Sequence, residues 1–278
     1  MSVAYRPRGV PELIDAAFQL TRRHYVPLLV LAAVTYIPTF AVLVLVSAPA
    51  AMAGDASLGT VGLVWVLALP LLLIWYAVGV AAMAIAASEA YQGRGVDPGS
   101  ALRQALSRWV TIVLACVAKW LIIGIAGAVF AIVIGVGGAL LGPLAAVLAI
   151  PAVALPIMMW TRFFAVPTVT VLENLGASDS LRRSSQLSDG FRWKVLGTYV
   201  IAYAIVFAIT MAAMVVAMLA VKNMVLAQLA SNLLSLLGFP LVGAVGVVLY
   251  YDMRIRKEGF DLELMQRELP AASAGQPA

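Results

Sequence analysis

Six long apolar runs dominate the chain, near residues 26–48, 61–88, 110–136, 139–164, 195–220 and 225–250. A helix that crosses a bilayer needs about 20 mostly apolar residues. Inside hydrocarbon only helices and closed barrels satisfy their own backbone polar groups. Runs this long predict an all-α polytopic membrane protein with six transmembrane helices. Charged residues make up 11% of the 278, against about 25% in an ordinary soluble domain, which excludes an independent water-soluble enzyme. The runs leave room for short loops only, so a single membrane domain is expected over 1–264, with a polar cytoplasmic tail at 265–278. The opening stretch carries Arg6, Arg8, Arg22 and Arg23 but no short apolar core with a cleavage site, so no removable signal peptide is expected.

The scarce charge is placed on one side. Arg6, Arg8, Arg22 and Arg23 precede the first run, and Arg94, Arg103 and Arg108 lie between the second and third. Arg182, Arg183, Arg192 and Lys194 lie between the fourth and fifth, and Arg254, Arg256, Lys257 and Arg267 follow the sixth. Fifteen of the eighteen basic residues thus share one face; Lys222 falls in an opposite loop, and Lys119 and Arg162 fall within runs. The positive-inside rule then predicts a multi-pass protein with both termini cytoplasmic. Single copies of Cys and His, Cys116 and His24, leave no thiolate cluster, multi-histidine metal site or internal disulfide to build, and no cofactor is expected.

The sequence also repeats itself. Tyr25, Trp109 and Trp193 each follow basic residues and open an odd-numbered run, at equal spacings of 84 (109 − 25 and 193 − 109). Glu89 and Glu173 close the second and fourth runs at the same spacing, and Asp252 takes the matching place after the sixth. A short amphipathic stretch starts each unit: Leu13, Ala17 and Leu20 in the first; Ala101, Leu102, Ala105 and Leu106 in the second. In the third, Ser178 to Asp189, Leu181 and Leu187 oppose Arg182, Arg183 and Gln186. The expected architecture is three repeated hairpins over about 11–91, 98–175 and 177–257, each preceded by an interfacial helix lying apolar side down in the headgroup plane. Leu262, Met265 and Leu269 suggest a closing helix of the same kind. A glycine turn at Gly137 and Gly138 is expected between the third and fourth spans, with Gly138 and Gly142 at GxxxG spacing for close packing.

Two groups of residues are candidates for function. Lys119, about 15 Å along a helix from Trp109, is a charge inside a run, where insertion costs about 2.5–3.5 kcal/mol. It reads as an ion or headgroup contact, with Glu89 or Glu173 as a partner, or as a snorkelling lysine. Arg162 reads as a phosphate contact or as an interfacial arginine in an aromatic belt. Gln228, Ser231, Asn232 and Ser235 share one helical face, which either lines a wet cavity or bonds between helices. Prolines 38, 70, 151, 156 and 240 interrupt the spans and free carbonyls there. The second group is a cytoplasmic-face ion-pair cluster of Glu89, Glu173, Asp252, Arg182, Arg183, Arg254 and Arg256. Catalytic motifs such as a P-loop, GxSxG, HExxH or CxxC are missing from the sequence.

Arg162-Phe163-Phe164, Pro167, Glu173 and Leu181-Arg182-Arg183-Ser184 form one motif, running on to Leu187 and Gly190. Tyr250-Tyr251-Asp252-Met253-Arg254-Ile255-Arg256-Lys257-Glu258-Gly259-Phe260 form a second. On these the chain resembles the bacterial membrane domain found with some glycerophosphodiester phosphodiesterases, over nearly its whole length. The resemblance implies a free-standing member: in the full enzymes a separate soluble barrel with histidines and a carboxylate-bound metal performs the chemistry, and no such barrel is present here. The leading expectation is a non-catalytic bacterial inner-membrane protein that scaffolds or regulates partners at the cytoplasmic face. One alternative is a transporter, channel or lipid-handling protein built on Lys119, Arg162, Gln228 and Asn232; another is an enzyme acting on lipid headgroups. Expected partners are the bilayer with its anionic headgroups, and a membrane protein or a second copy of the chain, not nucleic acid.

Overall fold

The computed structural model describes residues 7–53, 58–142, 146–220, 230, 232–234 and 236–259. All regular structure among them is helical. A short helix α1 (Val10–Arg23) precedes the long α2 (Tyr25–Ala53) and α3 (Leu58–Tyr91). A second short helix, α4 (Pro98–Ser107), precedes α5 (Trp109–Leu141), α6 (Ala146–Arg162) and the seven-residue α7 (Val166–Leu172). The third, α8 (Ala177–Ser188), precedes α9 (Arg192–Ala220), a 3-10 turn at Leu236–Gly238, and α10 (Phe239–Glu258). Six stretches are long and apolar enough to cross a membrane: Tyr25–Val42, Trp65–Tyr91, Trp109–Ala139, Ala154–Leu172, Arg192–Ala220 and Asn232–Glu258. The chain is an all-α, multi-pass membrane protein.

Burial divides the bundle lengthwise. Far from the basic residues the long helices present Leu45, Leu67, Ile132 and Val216 outward, as lipid-facing helices do. At the basic end, residues 81–88, 163–171 and 247–253 are buried without a gap. The three short helices enclose this end. The second and third dock on the hairpin that precedes them in the chain: α4 on α3 and α2, α8 on α5 and α7. The first helix has no preceding hairpin and closes the circle, packing along α10 and α9 of the last one. Its start bonds to Asp252, and Tyr25, just past its end, donates to the Leu237 carbonyl, so α1 runs antiparallel to α10.

This placement corrects in part the expectation that the amphipathic faces lie down on lipid, for Leu106 of α4 stays 40% exposed. Leu13 and Ala17 of α1, Ala101 and Ala105 of α4, and Leu187 of α8 are buried against protein. An apolar stripe specifies that it must be covered, not by what. The short helices also fall out of step with the 84-residue spacing. They start at Val10, Pro98 and Ala177, 88 and 79 apart, whereas the starts of α2, α5 and α9 keep that phase to within one residue.

The polar character of α8 has a local cause. The fourth span breaks after Arg162 and resumes at Val166, which leaves backbone groups without helical partners. Ser184 and Ser188 of α8 donate to the Arg162 carbonyl at 3.2 and 3.1 Å, and Ser184 accepts from the Ala165 N–H at 3.1 Å. Ser180, Ser184 and Ser188, one helical turn apart, are all fully buried. The hydroxyls of Ser184 and Ser188 complete the hydrogen bonding of the break, while Ser180 donates to the Gly176 carbonyl at 2.7 Å, so each buried hydroxyl is partnered.

The glycine expectations fail in a specific way. Helix α5 continues through Gly137 and Gly138 to Leu141, and the turn opens at Gly142 with φ 55°. A Cβ added at Gly138 or Gly142 would meet nothing within 4 Å among the described residues, so among these residues nothing packs closely on this GxxxG pair. Close approaches occur instead where a Cβ at Gly79 would overlap the Thr35 side chain, and one at Gly243 the Met83 side chain. Pro240 kinks nothing: it lies in the first turn of α10, where its missing N–H needs no partner. Pro70 does lie inside α3. Gln228, Ser231, Ser235 and the stretch around Leu262, Met265 and Leu269 lie outside the described residues.

Candidate functional site at the basic end

Successive residues on an α-helix point about 100° apart. Near the end of α10, Tyr250, Tyr251 and Asp252 use that spread to reach three different parts of the chain.

Asp252 is 2% exposed. Its Oδ1 accepts the Arg8 N–H at 2.7 Å, and its Oδ2 accepts from Lys194 Nζ at 2.5 Å and Arg256 Nε at 2.9 Å. Lys194 and Arg256 also donate to the Arg8 carbonyl, at 2.5 and 2.8 Å. The Arg8 peptide, two residues before α1, is therefore held at both its N–H and its C=O. A buried carboxylate is tolerated because opposite charge and hydrogen bonds surround it.

Tyr251 turns toward the first hairpin. Its ring stacks on Tyr91 at the end of α3, with centroids 4.6 Å apart and planes 6° from parallel. Its hydroxyl lies 2.7 Å from Ser88 Oγ and accepts from Gln92 Nε2 at 2.7 Å. The Arg8 guanidinium covers the Tyr91 ring at 5.9 Å, which joins this contact to the Asp252 cluster.

Tyr250 turns toward the second hairpin and donates to Glu173 Oε1 at 2.8 Å. Glu173, at the end of α7, takes a two-pronged pair from Arg183 of α8, Nε to Oε2 at 2.7 Å and Nη2 to Oε1 at 3.1 Å. Arg183 also contacts Glu258, which Arg254 holds from the other side at 2.9 Å. Partial burial opposes the charge on Arg183, but hydrogen bonds to Glu258 and Glu173 outweigh it and push the guanidinium's pKa further up.

Five of the seven expected cluster residues meet here: Glu173, Asp252, Arg183, Arg254 and Arg256. Arg182 does not join; it makes a surface pair with Asp179 at 3.6 Å, one helical turn away and largely exposed. Glu89 does not join either, and its Oε2 is buried without a hydrogen-bond partner. The spacing placed it at an equivalent helix end, but no cation of α4 reaches it.

Several residues escaped notice in the sequence. Lys194 and Arg108 counted only as topological charge. Arg108 ties down the loop after α7, donating to the Thr170 carbonyl at 2.9 Å, Asn174 Oδ1 at 2.8 Å and the Asn174 carbonyl at 3.1 Å. Asn174 itself has φ 55°, a conformation asparagine tolerates better than most residues. Tyr91 lies just past the second apolar run and carried no expectation, and Tyr250 and Tyr251 entered only within the motif Tyr250-Tyr251-Asp252, without a role of their own.

The candidates inside the spans occupy other surroundings. Lys119 is 8% exposed, and its ammonium lies 5.5 Å from the Trp120 ring centre and 5.9 Å from that of Trp160. Cation–π contact with two indoles replaces the expected carboxylate, for Glu173 is engaged by Arg183. Arg162 donates to Ser185 Oγ at 2.6 Å, with its guanidinium 5.7 Å from the Phe163 ring centre. Asn232 is partly buried. Beside Trp160, α6 and α9 leave an open apolar groove of about 610 Å³, lined chiefly by Pro156, Trp160, Leu196, Tyr199, Tyr203 and Phe207. Among the described residues, no three His, Cys, Asp or Glu side chains come together as metal ligands.

No family model, curated protein or solved structure matches the chain.

Proposed function

We propose that the chain is a non-catalytic bacterial inner-membrane protein, with both termini cytoplasmic, whose basic end is a rigid platform that scaffolds or regulates a membrane partner. The observation that carries this reading is the Tyr250-Tyr251-Asp252 hub. Its acids and most of its cations are spent on fastening α1, α3, α7, α8 and α9 together, which suits a fixed surface. Outside this lock, Arg103 and Arg182 remain largely exposed, and basic side chains at such a face suit anionic headgroups or an acidic partner. The reading extends the family resemblance, in which the membrane domain accompanies chemistry performed by a separate soluble barrel.

Reconstitution into liposomes tests it. The platform reading expects ion and small-solute permeability equal to that of protein-free vesicles; sustained flux of a defined solute overturns it. Orientation is tested separately with Arg103→Cys in a Cys116→Ser background. An impermeant maleimide should label this cysteine only after the inner membrane is opened, and labelling in intact spheroplasts reverses the topology.

A lipid-handling reading is favoured by one observation, the apolar groove beside Trp160 and Lys119. Transfer or scrambling of labelled phospholipid by the reconstituted protein would select it over the platform.

A further inference from the structure

The groove between α6 and α9 has a definite length and a charged end. On α9 its lining runs from Leu196 to Phe207, eleven residues or about 16 Å of helix. This is about half of the ~30 Å hydrocarbon core of a bilayer, so the groove is one leaflet deep. Its wall is almost entirely apolar: Pro156, Ile157 and Trp160 on one side, Val200, Ala204 and Phe207 on the other.

Cations gather where the groove ends. Arg192 lies one turn before Leu196 on the same stripe of α9. Its Nε is buried without a hydrogen-bond partner, and its Nη2 makes only a long 3.5 Å contact to the exposed Asp189. Arg162 follows Trp160 by two residues and meets a serine hydroxyl rather than a carboxylate. Lys119 stands behind Trp160 with its ammonium over the indole. Arg192 and Arg162 therefore stand just beyond the lining residues Leu196 and Trp160, and Lys119 is buried behind the wall, with Asp189 the one acid in contact with any of them among the described residues. That arrangement complements one object, a phosphate joined to a long hydrocarbon chain.

We propose that this groove holds one anionic phospholipid of the basic-side leaflet, an acyl chain lying between α6 and α9 and its phosphate against Arg192 and Arg162. The Arg192 guanidinium, whose Nη2 makes only a long contact to Asp189, gains an acceptor at its exposed end, and the exposed Phe207 and Val200 gain cover. The site stands apart from the platform reading, since bound lipid and absence of solute flux are separate measurements.

Native mass spectrometry of the full chain, released from an equal mixture of phosphatidylglycerol and phosphatidylethanolamine, tests the site. Wild type should retain one phosphatidylglycerol in preference to phosphatidylethanolamine by about thirtyfold, the scale set by two basic residues near a headgroup. Arg162→Gln with Arg192→Gln should abolish that preference, and Ala204→Phe, which fills the groove from an exposed position, should cut retention of both lipids. Arg23→Gln with Arg94→Gln, exposed basic residues of the same end but outside the groove, should change neither. The proposal is overturned if wild type retains both lipids equally, if Ala204→Phe leaves retention intact, or if the distant pair has the same effect as the groove pair. Thermal melts of each variant identify any that fail to fold; because the groove faces outward, Ala204→Phe should melt with wild type.

Discussion

Replacing Asp252 by asparagine keeps the side chain's size and removes its charge. In the native site all three neighbours are donors: the Arg8 N–H on Oδ1, and Lys194 and Arg256 on Oδ2. An asparagine amide offers one acceptor, so its NH₂ must confront either Arg8 or the two cations. Lys194 and Arg256 lose their counter-charge, and unpairing a buried ion pair costs about 3–5 kcal/mol. Their side chains are 14% and 25% exposed, so water recovers part of the loss and the lower bound of about 3 kcal/mol applies. For a chain of this size each kcal/mol moves the melting temperature by roughly 2–4 °C, giving a drop of roughly 6–12 °C in a fixed detergent. The second half of the cycle is Lys194→Met. Once Asp252 is neutral, removing the stranded ammonium should restore about 1–2 kcal/mol, a coupling that contacting residues show and distant ones do not. A melt for Asp252→Asn within about 1 °C of wild type, or strict additivity of the two substitutions, would refute the reasoning.

Other outcomes follow from single contacts. Gly79→Ala should cost about 1–3 kcal/mol, because the β-branched Thr35 it meets is fixed by a 2.7 Å bond to the Leu31 carbonyl; Gly243→Ala should cost less because Met83 can repack, and Gly138→Ala should be neutral or better, all read as thermal shifts. Asp97 caps α4, and hydrogen bonds from the Gly99 and Ser100 N–H groups hold its carboxyl below the usual range. With its folded pKa depressed, its contribution is fully present above the unfolded value of about 3.9 and is lost as pH falls through the folded value. Hydrogen exchange in α4, corrected for intrinsic rates, should therefore become pH-dependent in acid, and Asp97→Ala should abolish that dependence. Lys119→Met should lower stability by about 1–2 kcal/mol, the scale of a desolvated cation–π contact; a much larger loss in the melt would mean the ammonium has an anionic partner.

How far the sequence reaches depends on what kind of fact is sought. Spanning helices are legible because hydropathy belongs to a run of residues, whatever they pack against. Tyr25, Trp109 and Trp193 mark helix starts for the same reason: α2 and α5 open at Tyr25 and Trp109, and α9 opens at Arg192. Glu173 and Asp252 drew attention because charge is rare in this chain, and the structure pairs both. Partner choice is a tertiary property and stayed hidden. Nothing in the residue order says that α1 closes onto α10, or that Lys194 and not Arg182 completes the lock. Spacing alone also misled, since Glu89 matches Glu173 in position but receives no cation among the described residues. The serines of α8 looked like a weak amphipathic face because the break they serve, between Arg162 and Val166, is not visible as a loss of hydrophobicity.

The central claim is that α1 is held by the last hairpin and is not resting on lipid. Hydrogen exchange of the wild-type chain in lipid nanodiscs measures this directly. The account predicts that amides of α1 from Leu13 to Thr21 exchange as slowly as those of α10 from Leu249 to Ile255, and that Asp252→Asn speeds both together. Exchange of α1 within about an order of magnitude of free-peptide rates, while α10 stays protected, would contradict it.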